Sequence, residues 1–154
     1  MKYFQESELA CPTTGIMQLQ EGFDNDLDEL REAYGYPIAV TSGCRTEEHN
    51  KWLQSRGYPA SSNSLHLIDN EKHGTDTCAI DMKRPDGVLL VKLFKVALEL
   101  GWTVGLAKTF VHLDKRENIR GYLKSSIAIS VKVAFSWMGM YRSRARTSLF
   151  THGI

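Results

Sequence analysis

The sequence has few cysteines, no long apolar run and no stretch that resembles a secretory leader. Its three cysteines, Cys11, Cys44 and Cys78, form no CxxC pair, which is typical of free thiols in a reducing compartment rather than of a disulfide framework. The most apolar segment, IAISVKVAFSWMGMY, is shorter than the roughly 20 residues of a spanning helix and contains Lys132. The opening MKYFQESELACP is too polar for a signal peptide. We therefore expect a cytosolically made protein without a membrane span.

Acidic residues are missing from the last part of the chain. From residue 119 to residue 154 there are six basic residues and no acidic one, so residues 1–118 carry 13 basic against 18 acidic residues, a balance of −5, although the net charge is +1. Nucleic-acid binding needs a concentrated positive surface, so the acidic body argues against it. The RSRAR stretch near the end is either a solvated basic end or a site for an anionic polymer.

Periodicity predicts one α+β domain, with helices packed on a small antiparallel sheet. The segments MQLQEGFDNDLDELREAYG, RTEEHNKWLQSRG and RPDGVLLVKLFKVALELGW have helical patterns; Gly35 ends the first, Thr46 caps the second and Asp86 caps the third. The segments YPIAVTSGC, CAIDM and TFVHLD predict strands, as does the clean alternation from Ile127 to Trp137. Residues 58–77 predict a long loop, and long loops inside compact domains are usually functional or disordered.

Histidines and aspartates are concentrated in SLHLIDNEKHGTDTCAID and in TFVHLD. Asp81 and His112 each lie in a short apolar strand, whose alternation would place both side chains on one face of a sheet. Asp114 would point to the same side as His112, and would orient its imidazole or handle protons. With His66 and His73 these residues are candidates for a catalytic zinc site. Spacing alone leaves open which histidine binds, and hydrogen-bonded core histidines would give the same pattern.

Four segments, taken in order along the chain, carry a resemblance to a known family. PIAVTSGCRTEEHN, SLH, CAIDM and LGWTVGLAKTFVHLDKR resemble the consecutive signatures of the zinc D-Ala-D-Ala carboxypeptidase family, the family-fifteen metallopeptidases, whose hedgehog/DD-peptidase fold also occurs in phage peptidoglycan peptidases. The resemblance covers about residues 1–116. It implies a single Zn²⁺ ion bound by His66, Asp81 and His112.

The resemblance also implies roles for residues around the metal. Arg45 is expected to engage the substrate carboxylate or the developing oxyanion, for which a planar, always charged guanidinium is suited, unless it makes only a surface salt bridge. Ser64 is expected to orient the loop or the substrate, unless it is only a hydrogen-bonded turn serine. If His66 holds the zinc, a long loop beside the metal is expected to shape the substrate cleft, with His73 lining it as a binding or proton-carrying group. Several relatives have Glu or Asp three residues before the last zinc histidine, where this chain has Thr109. By elimination, Asp114 is the candidate general base.

The first two candidate ligands are farther apart in sequence than in relatives. Fourteen residues lie between His66 and Asp81, and seven lie between His73 and Asp81. Either His66 is the ligand and IDNEKHGTD is an inserted loop, or His73 is the ligand and the stretch between it and Asp81 is one residue longer than in relatives. The SxH context favours His66, because loops can lengthen at little entropic cost.

The resemblance implies a zinc peptidase that hydrolyses peptidoglycan stem peptides, as a D-Ala-D-Ala carboxypeptidase or an endolysin-type endopeptidase, and acts as a monomer. It suggests a phage protein made in the cytoplasm of an infected or lysogenic bacterium and acting on the cell wall after release. Residues 1–118 are expected to form the catalytic domain, and residues 119–154 a basic segment with an added strand and a flexible tail. The missing carboxylate at Thr109 leaves open a non-catalytic, zinc-containing cell-wall-binding or phage structural module.

Overall fold

Four helices and four strands are present in the computed structural model, which describes residues 1–58 and 60–116. They are α1 (Glu6–Leu9), α2 (Phe23–Tyr34), β1 (Val40–Ser42), α3 (Glu47–Ser55), β2 (Ala79–Lys83), α4 (Gly87–Glu99), β3 (Thr103–Leu106) and β4 (Phe110–Asp114). The predicted strand at 127–137, the domain boundary at 118 and the basic segment 119–154 lie outside the described residues, so these three remain predictions.

The four strands form one antiparallel sheet in the order β1-β2-β4-β3. This confirms the predicted α+β class. The register places Ser42 opposite Asp81, Asp81 opposite His112, and His112 opposite Gly105. Two of the candidate ligands are therefore direct cross-strand neighbours on the two central strands, within a row that crosses the whole sheet.

The two faces of the sheet differ in chemistry because side chains alternate along a strand. Four buried apolar residues of β2 and β4 belong to the core, which also includes the buried apolar residues of α2 and α4. They are Ile80, Met82, Val111 and Leu113. Asp81, His112 and Asp114 alternate with them and therefore lie on the opposite face, away from this core. Burial of the apolar face at about 25 cal/mol per Å² stabilises the framework that carries the polar face.

Helix α2 begins later than its sequence pattern predicts. The pattern starts near Leu19, but the helix begins at Phe23, because Gly22 has a positive φ of 82° and turns the chain there. Leu19 instead forms an isolated parallel bridge with Thr77. The predicted end is confirmed: Gly35 has φ 77°, a left-handed conformation that favours glycine, and its N–H donates to Arg31.

The other two predicted helices agree with the structure. The Thr46 side chain accepts a hydrogen bond from the His49 N–H at 3.2 Å and so caps α3. Asp86 is the N-cap residue of α4, which packs Leu93 and Ala97 into the core. No helix in the described part of the chain has the length and apolar character needed to cross a membrane. The three cysteines are free and buried, as expected.

Candidate metal centre

Three side chains from separate parts of the chain meet on the polar face of the sheet. His66 comes from the loop that precedes β2, Asp81 from the middle of β2 and His112 from the middle of β4. His66 Nε2 lies 3.3 Å from both Asp81 Oδ1 and His112 Nδ1. Asp81 Oδ1 lies 2.8 Å from His112 Nδ1. Within the residues that the structure describes, this is the group of histidine, cysteine and acidic side chains whose ligand atoms lie close enough to share a metal ion.

The separations fit a tetrahedral zinc ion. Bonds of about 2.0–2.1 Å at tetrahedral angles place neighbouring ligand atoms roughly 3.3–3.4 Å apart. Two of the three separations have this length, and the third is the length of a hydrogen bond between Asp81 and His112. Two imidazole nitrogens and one carboxylate oxygen are ligands that zinc takes in catalytic sites, where a fourth position stays open. The residues present therefore fit the zinc ion that the sequence resemblance implies.

His66 is held so that only one of its ring nitrogens faces the cluster. Its Nδ1 lies 2.8 Å from the carbonyl oxygen of Gly43, to which the Nδ1–H donates. The Nε2 lone pair is then directed toward Asp81 and His112, as metal binding requires. Burial lowers the pKa of His66, so the neutral imidazole is favoured. The His66 carbonyl accepts hydrogen bonds from the Arg45 N–H at 2.7 Å and from the Thr77 hydroxyl at 2.9 Å.

The two oxygens of Asp81 have different partners. Oδ1 faces the two histidines, while Oδ2 accepts a hydrogen bond from Arg45 Nη2 at 3.0 Å. Burial alone would raise the pKa of Asp81, but its neighbours, first of all the hydrogen bond donated by His112, outweigh burial and hold the pKa well below its usual range. Asp81 is thus an ionised carboxylate that offers a single oxygen to the cluster.

The far side of the His112 ring is bound by Asp114. His112 Nε2 lies 3.0 Å from Asp114 Oδ2, and Arg116 donates from Nε to Asp114 Oδ1 at 2.8 Å and from Nη2 to Oδ2. Asp114 is fully buried. Burial opposes ionisation, yet hydrogen bonds from Arg116 and His112 lower the pKa of Asp114 to about 2. Burial likewise opposes protonation of His112, but hydrogen bonds to Asp114 and Asp81 raise its pKa to about 9.

This arrangement favours one of the two roles that the sequence left open for Asp114. Its carboxylate lies against Nε2, whereas Nδ1 faces the cluster, so the ring separates Asp114 from the position that a metal would take. A second carboxylate of this kind fixes the tautomer of a ligand histidine and raises its basicity. This geometry supports the orienting role of Asp114, and both roles stay predictions.

His73 and Thr109 are not brought into the cluster. His73 is half-buried in a turn of the long loop, where its N–H donates to the Asn70 carbonyl at 3.1 Å. An isolated bridge between Asn70 and Thr75 closes this turn. Thr109 is exposed between β3 and β4. The structure therefore places His66, and not His73, with Asp81 and His112.

Ser64 lies at the start of the turn that carries His66. Its hydroxyl accepts a hydrogen bond from the His66 N–H at 3.3 Å. Its carbonyl accepts one from the buried Asn70 side chain at 2.8 Å. These contacts match the loop-orienting function considered for Ser64.

Sequence reasoning missed four residues that position the ligands: Ser42, Gly43, Gly105 and Arg116. A Cβ on Gly43 would lie 2.3 Å from the Leu9 carbonyl oxygen, so the close approach of α1 requires glycine there. A Cβ on Gly105 would lie 3.3 Å from His112 Cβ. None of the cross-strand partnerships can be read from the sequence without the register.

Comparison with known proteins agrees with this geometry. The family model described as Peptidase M15 matches residues 2–114, which is well over half of the chain and includes all three clustered side chains. Searches of curated proteins and of solved structures gave no significant match. The chain therefore belongs to the peptidase M15 family.

Proposed function

We propose that this chain is a zinc-dependent peptidase that hydrolyses peptidoglycan stem peptides. The observation that carries the proposal is the convergence of His66 Nε2, Asp81 Oδ1 and His112 Nδ1 within 3.3 Å of one another. Membership of the peptidase M15 family supports peptide hydrolysis as the reaction. The resemblance to D-Ala-D-Ala carboxypeptidases supports the stem peptide as substrate.

The cluster is open to solvent on one side. The side chains of His66 and Asp81 are 3% and 10% exposed, whereas that of His112 is 27% exposed. Substrate would therefore approach from the side of His112. A bound zinc ion supplies a nucleophilic water at neutral pH and polarises the scissile carbonyl.

The surrounding residues would fix which ring nitrogen of each ligand histidine faces the metal. Gly43 accepts the proton of His66 Nδ1, which leaves Nε2 unprotonated. Asp114 accepts the proton of His112 Nε2, so Nδ1 is the nitrogen that would lose its proton when a metal binds. Each histidine thus turns toward the cluster the nitrogen that a metal would take, and preorganisation of this kind is what a catalytic zinc site needs.

Two reactions fit the proposal, and product analysis separates them. A D-Ala-D-Ala carboxypeptidase releases free alanine from the end of the stem peptide. An endopeptidase creates new amino termini within the cross-linked wall and releases no free amino acid.

We further propose the phage setting, in which the enzyme is made in the host cytoplasm and meets the wall after release.

The test is to load the purified protein with zinc, measure its metal content, and incubate it with purified peptidoglycan. We expect about one zinc ion per chain and the appearance of new amine termini or free alanine. Full zinc loading with no hydrolysis would overturn the enzymatic proposal and favour a zinc-containing binding module.

A matched pair of variants tests the ligand assignment. His66→Ala is expected to lose zinc, because it removes one of three clustered ligand atoms. His73→Ala removes a histidine from the neighbouring turn and is expected to keep zinc. If His73→Ala lost zinc and His66→Ala kept it, the assignment of the first ligand would be wrong.

A further inference from the structure

Arg45 connects two of the three candidate zinc ligands. Its backbone N–H donates to the His66 carbonyl at 2.7 Å, and its side chain donates from Nη2 to Asp81 Oδ2 at 3.0 Å. The Arg45 carbonyl also accepts from the Ile68 N–H at 3.0 Å, which fixes the chain two residues after His66. One residue thus fastens the backbone of one ligand and the carboxylate of another.

The guanidinium is itself held in a fixed orientation. Arg45 Nε donates to the Ser42 hydroxyl at 3.0 Å, and Ser42 is the cross-strand neighbour of Asp81. The two hydrogen bonds leave from two different nitrogens of one planar group, so they set its direction as well as its position. The side chains of Arg45 and Asp81 are each only 10% exposed.

We propose that Arg45 is a positioning residue of the metal centre, which holds Asp81 Oδ2 so that Oδ1 is presented to zinc. Arg45 is 9% exposed and directs Nε and Nη2 to protein oxygens, so these two donors serve the site itself. The inference rests on the proposed zinc site, and it adds to Arg45 a role beyond the one that the sequence resemblance implies.

A positioning role predicts a change in zinc affinity that does not depend on any substrate. Without Arg45, Asp81 could rotate and its second oxygen would be left buried without its charged partner. Loss of an outer partner of a metal ligand typically costs about 10- to 100-fold in affinity. We therefore expect the zinc dissociation constant of Arg45→Gln to rise by roughly this factor.

The measurement is zinc affinity by competition with a chromogenic chelator, on the full chain. Arg56→Gln, which removes an exposed arginine of the same charge from the end of α3, is the matched control and should bind zinc like the parent. An unchanged zinc affinity in Arg45→Gln would overturn the proposal.

If that variant does not fold, Arg45→Lys decides on the same measurement, because lysine keeps the charge but cannot donate to Ser42 and Asp81 in the same fork geometry. We expect Arg45→Lys to bind zinc several-fold more weakly, and parental affinity in it would likewise overturn the proposal.

A second readout separates the two roles once hydrolysis has been observed. Peptides that differ only in a free or an amidated carboxyl terminus are compared at saturating zinc. The positioning role predicts that Arg45→Lys changes kcat/KM by the same factor for both peptides. A loss confined to the free carboxylate, through KM, would show instead that Arg45 binds substrate. The zinc measurement needs no hydrolysis, so failure of the peptidase proposal and failure of this inference give different results.

Discussion

Replacing Asp114 with asparagine tests how the protein controls the protonation of His112. Asp114 accepts four hydrogen bonds, one from His112 Nε2 and three from the side chain and backbone of Arg116. Asparagine has one acceptor oxygen and one NH₂ donor at the same place. It therefore cannot satisfy His112 and both side-chain donors of Arg116 together.

Each orientation of the new amide has a definite cost. If its oxygen faces Arg116 Nε, its NH₂ donates to His112 Nε2 and stabilises the tautomer that carries a proton on Nδ1, the atom that faces the cluster. If its oxygen faces His112, its NH₂ opposes the donors of Arg116, and a lost charge-assisted hydrogen bond costs about 1.5–3 kcal/mol. Both orientations remove the negative charge that raises the basicity of His112.

We therefore expect Asp114→Asn to weaken zinc binding about 10- to 100-fold, or about 1.4–2.7 kcal/mol, as is typical when the outer partner of a ligand histidine is changed. Zinc competition measures the affinity, and hydrolysis at saturating zinc measures the remaining activity. Asp86→Asn is the control, since it makes the same charge change at an exposed N-cap where asparagine is equally favourable.

Two results would refute this reasoning. Zinc affinity close to that of the parent would show that Asp114 does not set the state of His112. Parental zinc affinity combined with lost hydrolysis would show instead that Asp114 acts in proton transfer, the other role that the sequence left open.

The remaining predictions concern close packing and the metal. Gly43→Ala would place a methyl group 2.3 Å from the Leu9 carbonyl oxygen, so we expect the free energy of unfolding to fall by about 1–3 kcal/mol in urea denaturation; a change within error would contradict the close approach of α1. Gly105→Val would crowd His112, because any Cβ at position 105 lies 3.3 Å from the His112 Cβ, and it should weaken zinc binding more than Gly105→Ala does; equal zinc affinities in the two variants would contradict this. Removing zinc with a chelator should lower Tm, because a ligand that binds only the folded state stabilises it; an unchanged Tm would argue against a bound metal.

That Asp81 and His112 lie on the same face of the sheet could be predicted from the sequence. Each residue interrupts a short apolar strand, and period-two alternation requires that a polar residue so placed lies on the face opposite its apolar neighbours. The sequence could not give the register, which depends on the turn between strands and on packing across the sheet. Only the register shows that Ser42 and Gly105 flank this pair.

Two elements were not predicted from the sequence, for different reasons. Helix α1 has four residues, too few to give a period, and its short capping-box turn depends on docking against β1. Strand β3, Thr103–Leu106, includes Gly105 and is half-buried throughout, so it lacks the alternation that identifies a strand. The hydrogen-bond partners of Arg45 could not be predicted either, because they depend on which strand lies beside β1.

Because of the contacts around His66, the geometry of the candidate metal centre does not depend on the length of the loop that follows. The chain is fastened at His66 and Ile68 by the backbone hydrogen bonds of Arg45, and it is fastened again just before β2, where the Cys78 N–H donates to the Leu65 carbonyl at 3.0 Å. Between these points the bridge of Asn70 with Thr75 closes the extra residues into a separate turn. A loop pinned at both ends can gain or lose residues without moving the ligands that flank it. The length of this loop can therefore change while the three clustered side chains stay in place, and the spacing of such residues along the chain carries little information about where they lie in space.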